Sequence, residues 1–220
     1  MKTDSQLYTE IMEKLEFEPA IHPTHITLAV REGIVTLTGT VGHYPEKRKV
    51  ERAVRGIEGV RGIVNDLAVN LIASLQRNDT DIAKTIIYAL EWAINVPADK
   101  IKVTVENGHV KLTGEVEWAY QRHNAENAVR YLAGIKSIDN QIKIKPSMAI
   151  ISPTEVKEKI SKEFERNALI DAARIQVESR GGEIILKGHV RSWPEYREAE
   201  RAAWSIPGVI QVNNHLSITN

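Results

Sequence analysis

Apolar residues along this chain of 220 residues recur in the same order three times. Each round opens at helical spacing, with Leu7, Ile11 and Leu15, then Ile82, Ile86 and Leu90, then Val156, Ile160 and Phe164, which predicts an amphipathic helix. Strict alternation follows in "ITLAV", "IKVTV" and "IQVES", and again in "IVTLTGTV" (34–41), "HVKLTGEV" (109–116) and "EIILKGHV" (183–190). These are two strands, and "REG", "ENG" and "RGGE" between them predict a tight hairpin turn. A second helix is written by Val50, Ala53, Val54 and Ile57, by Ala125, Ala128, Val129 and Leu132, and by Ala199, Ala202, Ala203 and Ile206; its alanines suit a close approach to a sheet. A last strand alternates as Ile63, Asn65, Leu67 and Val69, with Asn140 and Asn214 at the matching inward place. The predicted unit is α-β-β-α-β: an α+β domain with a three-stranded mixed sheet and two helices packed on one face.

The register of the repetition is tight. Gly39, Gly114 and Gly188 of the second strand are spaced by 75 and 74 residues, and Gly59, Gly134 and Gly208 keep the same period. We read three tandem domains, 1–72, 78–145 and 152–220, with linkers at 73–77 and 146–151. Leu71, Ile72, Leu75, Met148, Ile150 and Ile151 lie at the junctions, so the domains are expected to dock there rather than swing on polar tethers. Gly39, Gly114 and Gly188 fall on the inward register of a core strand, where a missing side chain lets another backbone come close. The three asparagines read as structural amides that need hydrogen-bond partners.

Charge narrows the functional classes. Lys plus Arg and Asp plus Glu number 29 each, which removes the basic footprint of a phosphate-neutralising protein, so no nucleic acid partner is expected. With no cysteine there is neither a thiolate nucleophile nor a Cys-based zinc site. The N-terminal stretch lacks an apolar signal core, and no apolar run reaches the roughly 18 residues of a spanning helix. As written, the expected compartment is the cytoplasm, or the periplasm if a signal peptide was removed.

The residues "VTLTGTV" around Gly39, their counterparts around Gly114 and Gly188, and "GVRGIVND" (59–66), "GIKSIDNQ" (134–141) and "GVIQVNNH" (208–215) resemble the BON domain (bacterial OsmY and nodulation). The likeness covers nearly the whole chain in three copies. It implies a non-enzymatic module associated with phospholipid or cell-envelope binding and with osmotic or other stress. Lipid contact by a helix of one copy, which the family implies, would fall on Trp92 at the end of the first helix of copy two.

The residues themselves show no catalytic constellation: neither G-x-S-x-G, a Walker loop nor H-E-x-x-H occurs, and no cofactor is expected. His22 and His25 have metal-like spacing but are private to one copy and read as loop residues. Better candidates follow the motif glycine, where each copy sets aromatic and basic groups together: Tyr44, Lys47 and Arg48; Trp118, Tyr120 and Arg122; Trp193, Tyr196 and Arg197. Such groups mark interfaces and membrane headgroup zones. Trp92 aligns with Phe17 and Arg166, which argues against a deep core position. Two functions compete: a non-catalytic protein peripheral to a phospholipid or envelope surface, and a self-assembling structural or chaperone-like scaffold whose open sheet edges pair with protein partners or other copies.

Overall fold

A computed structural model describes residues 2–145, 153–167, 170–180 and 182–219. The expected junction residues Met148, Ile150 and Ile151 lie outside these. Helix α1 (Asp4–Glu16) starts at a capping box: Thr3 Oγ accepts from the Gln6 N–H at 3.2 Å, and the Gln6 side chain accepts from the Thr3 N–H at 2.9 Å. Strands β1 (Ile26–Arg31) and β2 (Ile34–Val41), helix α2 (Tyr44–Arg55) and strand β3 (Gly62–Val69) complete the first repeat. The order recurs as α3 (Asp79–Trp92), β4 (Ile101–Glu106), β5 (His109–Val116), α4 (Ala119–Val129) and β6 (Ser137–Ile144). It recurs again as α5 (Pro153–Arg166), β7 (Ile175–Arg180), β8 (Glu183–Val190), α6 (Trp193–Trp204) and β9 (Gln211–Ile218). Three α+β units therefore follow one another along the chain.

In every sheet the strands lie in sequence order. β1 and β2 are antiparallel while β2 and β3 are parallel, and β7, β8 and β9 repeat this arrangement. The parallel pair requires a crossover, which α2 and α6 supply. The chain forms two compact units, Met1–Ile94 with Lys102–Leu112 and Ala125–Gln141, and Asn95–Ile101 with Thr113–Asn124 and Ile142–Asn220. The first contains all of repeat one, the second all of repeat three.

Each core is built from the positions that carry the periodicity. In repeat one Leu7, Ile11, Leu15, Val35, Leu37, Val50 and Val54 are buried, and in repeat three Val156, Ile160, Phe164, Ile184, Leu186, Ala199, Ala202 and Ala203 form one cluster. The small Ala199, Ala202 and Ala203 bring α6 close to the sheet, beside the larger Phe164 of α5. Asn65 donates to Glu51 at 3.5 Å and Asn140 to Glu126 at 3.3 Å, as structural amides should. Asn214 accepts from the Leu216 N–H at 3.2 Å, but its buried Nδ2 has no partner among the described residues.

The motif glycine makes room for a carbonyl. A Cβ on Gly39 would stand 2.1 Å from the His25 oxygen; on Gly114, 2.0 Å from that of Lys100; on Gly188, 2.1 Å from that of Arg174. Backbone φ at the three glycines is +113°, +140° and +122°, a region that side chains disfavour. The close approach comes from the residue that leads into the first strand rather than from a helix. At the first junction Ile72 is 57% exposed, contrary to expectation: a short 3-10 turn (Ala73–Leu75) closes on the Ile72 carbonyl and leaves this side chain outside, while Leu71 and Leu75 are half-buried.

Candidate functional site

The segments after the motif glycine do not present one common surface. Tyr44 is buried, a correction to its expected role as a contact residue. Burial pushes its phenol above the ordinary value; Arg48 and Arg130 oppose the shift and Glu126 and Glu51 add to it. Glu126 is on α4 and Arg130 directly follows it, so Tyr44 feels charges of repeats one and two within one compact unit. Lys47 also turns inward, donating to the Leu67 carbonyl at 2.7 Å, and exposed Arg48 pairs with Glu51 at 3.2 Å. Trp118 and Tyr120 stack with centroids 6.4 Å apart and planes at 22°, with Trp118 half-buried and Tyr120 exposed. Trp193 and Tyr196 meet at 5.1 Å, and the Tyr196 hydroxyl donates to the Asn214 carbonyl at 3.2 Å, tying this pair to its own sheet. Arg122 is half-buried and Arg197 exposed.

What these segments do instead is seat a carboxylate or amide. Glu46 is only 2% exposed and accepts from the N–H groups of Gly42 and His22, both at 2.9 Å, and from the His22 ring at 3.1 Å. Glu195 accepts from Asp171 N–H at 2.9 Å and Arg191 N–H at 2.7 Å; Gln121, its equivalent in repeat two, accepts from Glu117 and Trp118, both at 3.0 Å. These residues were missed in the sequence, although His43, whose ring accepts from the Glu46 N–H, and Ser192, which accepts from that of Glu195, stand three residues before them as N-caps do. His22 is thereby engaged with Glu46, and no group of three metal-ligating side chains occurs among the described residues.

Burial by itself would raise the Glu46 carboxyl, but the His22 and Gly42 N–H groups and the His22 ring outweigh it and hold the carboxyl below its ordinary 4.5. A group lowered in the folded state stabilises the fold above its unfolded value, and that stability is lost as pH falls through the folded one. Glu46→Ala, which leaves buried N–H groups unpaired, is expected to cost about 2–4 kcal/mol at neutral pH. Glu46→Gln, the solution already present as Gln121, should cost less than half of that. Thermal melts followed from pH 7 down to 3 check both, since wild type should lose more stability on acidification than Glu46→Gln.

The apolar surface lies elsewhere, on the outer side of α3. Ile87, Tyr88 and Trp92 of the helix, and Ile94 in the turn after it, are 47%, 63%, 85% and 83% exposed. Tyr88 and Trp92 are four residues apart and so share one helical face, with Ile87 beside them. Repeat three has Ser161, Lys162 and Arg166 at the positions of Ile87, Tyr88 and Trp92, and repeat one has Met12, Glu13 and Phe17. Repeat one thus keeps apolar residues at two of the three places but no aromatic at that of Tyr88; Phe17, the counterpart of Trp92, is also 85% exposed. Helix α3 nonetheless buries Ile82, Ile86 and Leu90 on its other side, so the outer residues are not needed for the core. No helix among the described residues is long and apolar enough to cross a membrane.

Osmotically-inducible protein Y of Escherichia coli (strain K12) is 27% identical to this chain over 146 residues, which cover 64% of the chain and 73% of that protein. Two solved structures of CdsD, a structural protein of the type III secretion system of Chlamydia trachomatis, also match. One is 15% identical with a TM-score of 0.27, covering 97% of this chain and 92% of that one; the other, the C-terminal domain, is 14% identical with a TM-score of 0.28 and full coverage of both. The BON domain model fits residues 3–70, 78–146 and 152–220, and with three such matches spanning most of its length the chain belongs to the BON domain family.

Proposed function

We propose that the protein is a non-catalytic, peripheral phospholipid-binding protein of the osmotic-stress type, which meets the lipid surface through the outer side of α3. The observation that carries this reading is the exposed set Ile87, Tyr88 and Trp92 on a helix whose opposite side fills the core, with exposed Ile94 just past the helix end. Clustered exposed apolar side chains mark an interaction surface, and Trp with Tyr at a helix end suits the headgroup zone. The osmotic-stress assignment rests on the likeness to Osmotically-inducible protein Y. With a net charge of zero, long-range attraction contributes little, so binding depends on apolar insertion and should weaken only modestly with salt.

Flotation with phosphatidylglycerol-containing vesicles, beside light scattering on a sizing column, tests the reading. The protein should float with the vesicles while remaining a monomer in their absence. Failure to float at low salt, or a vesicle-independent assembly, would remove the lipid reading and leave the scaffold alternative.

A further inference from the structure

In repeats one and two a carboxylate at the first residue of the opening helix holds both amides of the hairpin turn. Asp4 accepts from the N–H of Glu32 at 2.8 Å and of Gly33 at 3.0 Å; Asp79 accepts from that of Asn107 at 2.7 Å and of Gly108 at 2.9 Å. Backbone φ is +52° and +75° across the first turn and +51° and +79° across the second, so successive N–H groups converge on one anion. The two turns differ in one side chain, since Glu32 of repeat one is Asn107 in repeat two.

That exchange creates a reactive pair. Asn107 is the only asparagine of the chain that a glycine follows. Asparagine before glycine suits a left-handed turn, and it is also the pair in which the next backbone nitrogen reaches the side-chain amide most freely, because glycine has no side chain to hinder the approach. Asn107 is exposed, so water reaches its amide, whereas Gly108 is buried with its N–H on the Asp79 carboxylate. A hydrogen bond to an anion opposes loss of the amide proton, which attack by that nitrogen requires. Asp79 therefore restrains the pair without making it inert.

We propose that Asn107 is a site of covalent modification, a deamidation site whose rate Asp79 sets. The Gly108 nitrogen bonds to the carbonyl carbon of the Asn107 side chain and gives its proton to solvent, while the carbon–nitrogen bond of the side-chain amide breaks and the leaving nitrogen takes a proton from water to depart as ammonia. One water then opens the five-membered imide, giving aspartate or, with the main chain routed through Cβ, isoaspartate. Either product adds a negative charge beside Asp79, and isoaspartate also lengthens the main chain by one carbon, so the two amides no longer converge. Conversion thus frees the start of α3 from the turn between β4 and β5. Repeat one is immune, because the Glu32 side chain has no amide to lose. The site does not depend on lipid binding.

Ageing of the full chain at mildly alkaline pH, followed by peptide mapping that separates aspartate from isoaspartate, tests it. Isoaspartate should accumulate at Asn107 before any other asparagine reacts, and roughly tenfold more slowly than in a short peptide of sequence VENGHV, which has no clamp. Asp79→Ala should bring the rate up towards that of the peptide, and Asp79→Asn, which keeps an acceptor but not the charge, should fall between. Asn107→Glu, the residue that repeat one already carries, should not age at this turn. In the aged fraction the Gly108 amide should exchange its hydrogen about tenfold faster, while Gly33 keeps its rate. The proposal is overturned if Asn107 keeps its amide while other asparagines convert, or if the two Asp79 variants, folded by circular dichroism, age no faster than wild type. Equal rates in the wild-type chain and the peptide also overturn it, and that comparison needs no variant.

Discussion

Replacing Gly39 with alanine is expected to cost repeat one about 3–5 kcal/mol, by overpacking together with backbone strain. The added methyl would fall 2.1 Å from the His25 carbonyl oxygen at a φ of +113°, so neither the strand nor the residue before β1 can stay where it is. For a domain of this size a loss of that order lowers the melting temperature by roughly 15 °C or more. Gly56 is the control in the same repeat. Its φ is −77° and a methyl there would meet its nearest neighbour at 3.5 Å, an ordinary contact. Gly56→Ala should therefore be neutral or stabilise by up to about 1 kcal/mol. Calorimetry of the two variants decides the matter: similar melting temperatures would mean that the motif glycine is not what holds β1 against β2.

The second large effect is expected in binding. Serine at both Tyr88 and Trp92 removes two large exposed rings that contribute little to the core. If each ring inserts, the loss should reach roughly 1.5–3 kcal/mol, or about ten- to a hundredfold in vesicle affinity. The melting temperature should hardly move, which separates this result from unfolding. Trp193→Ser should behave in the opposite way, lowering stability with little change in vesicle affinity, because Trp193 packs on Tyr196 and this ring on the core of repeat three.

The repeat, the element order and the motif glycine were legible because each rests on local periodicity written three times. Trp92 was legible through its alignment with Arg166, a residue that a deep core would not accept. Tyr44 was not: an aromatic beside basic residues reads the same whether its ring faces solvent or, as here, lies buried among Arg48, Glu126 and Arg130. Glu46 was missed for a different reason. A glutamate is ordinarily exposed, and only the convergence of the Gly42 N–H with that of His22, 24 residues earlier, makes burial favourable. Ile72 was expected to bury because it is apolar, but a single short turn decided its direction.

Contact between α3 and lipid is tested most directly with single-tryptophan chains. With three of Trp92, Trp118, Trp193 and Trp204 changed to phenylalanine, the remaining indole reports its own depth when brominated phosphatidylglycerol vesicles quench its emission. Strong quenching is expected for the chain that keeps Trp92 and little for those that keep Trp193 or Trp204. Trp92 emission indifferent to brominated lipid, with the protein bound to the vesicles, would contradict it.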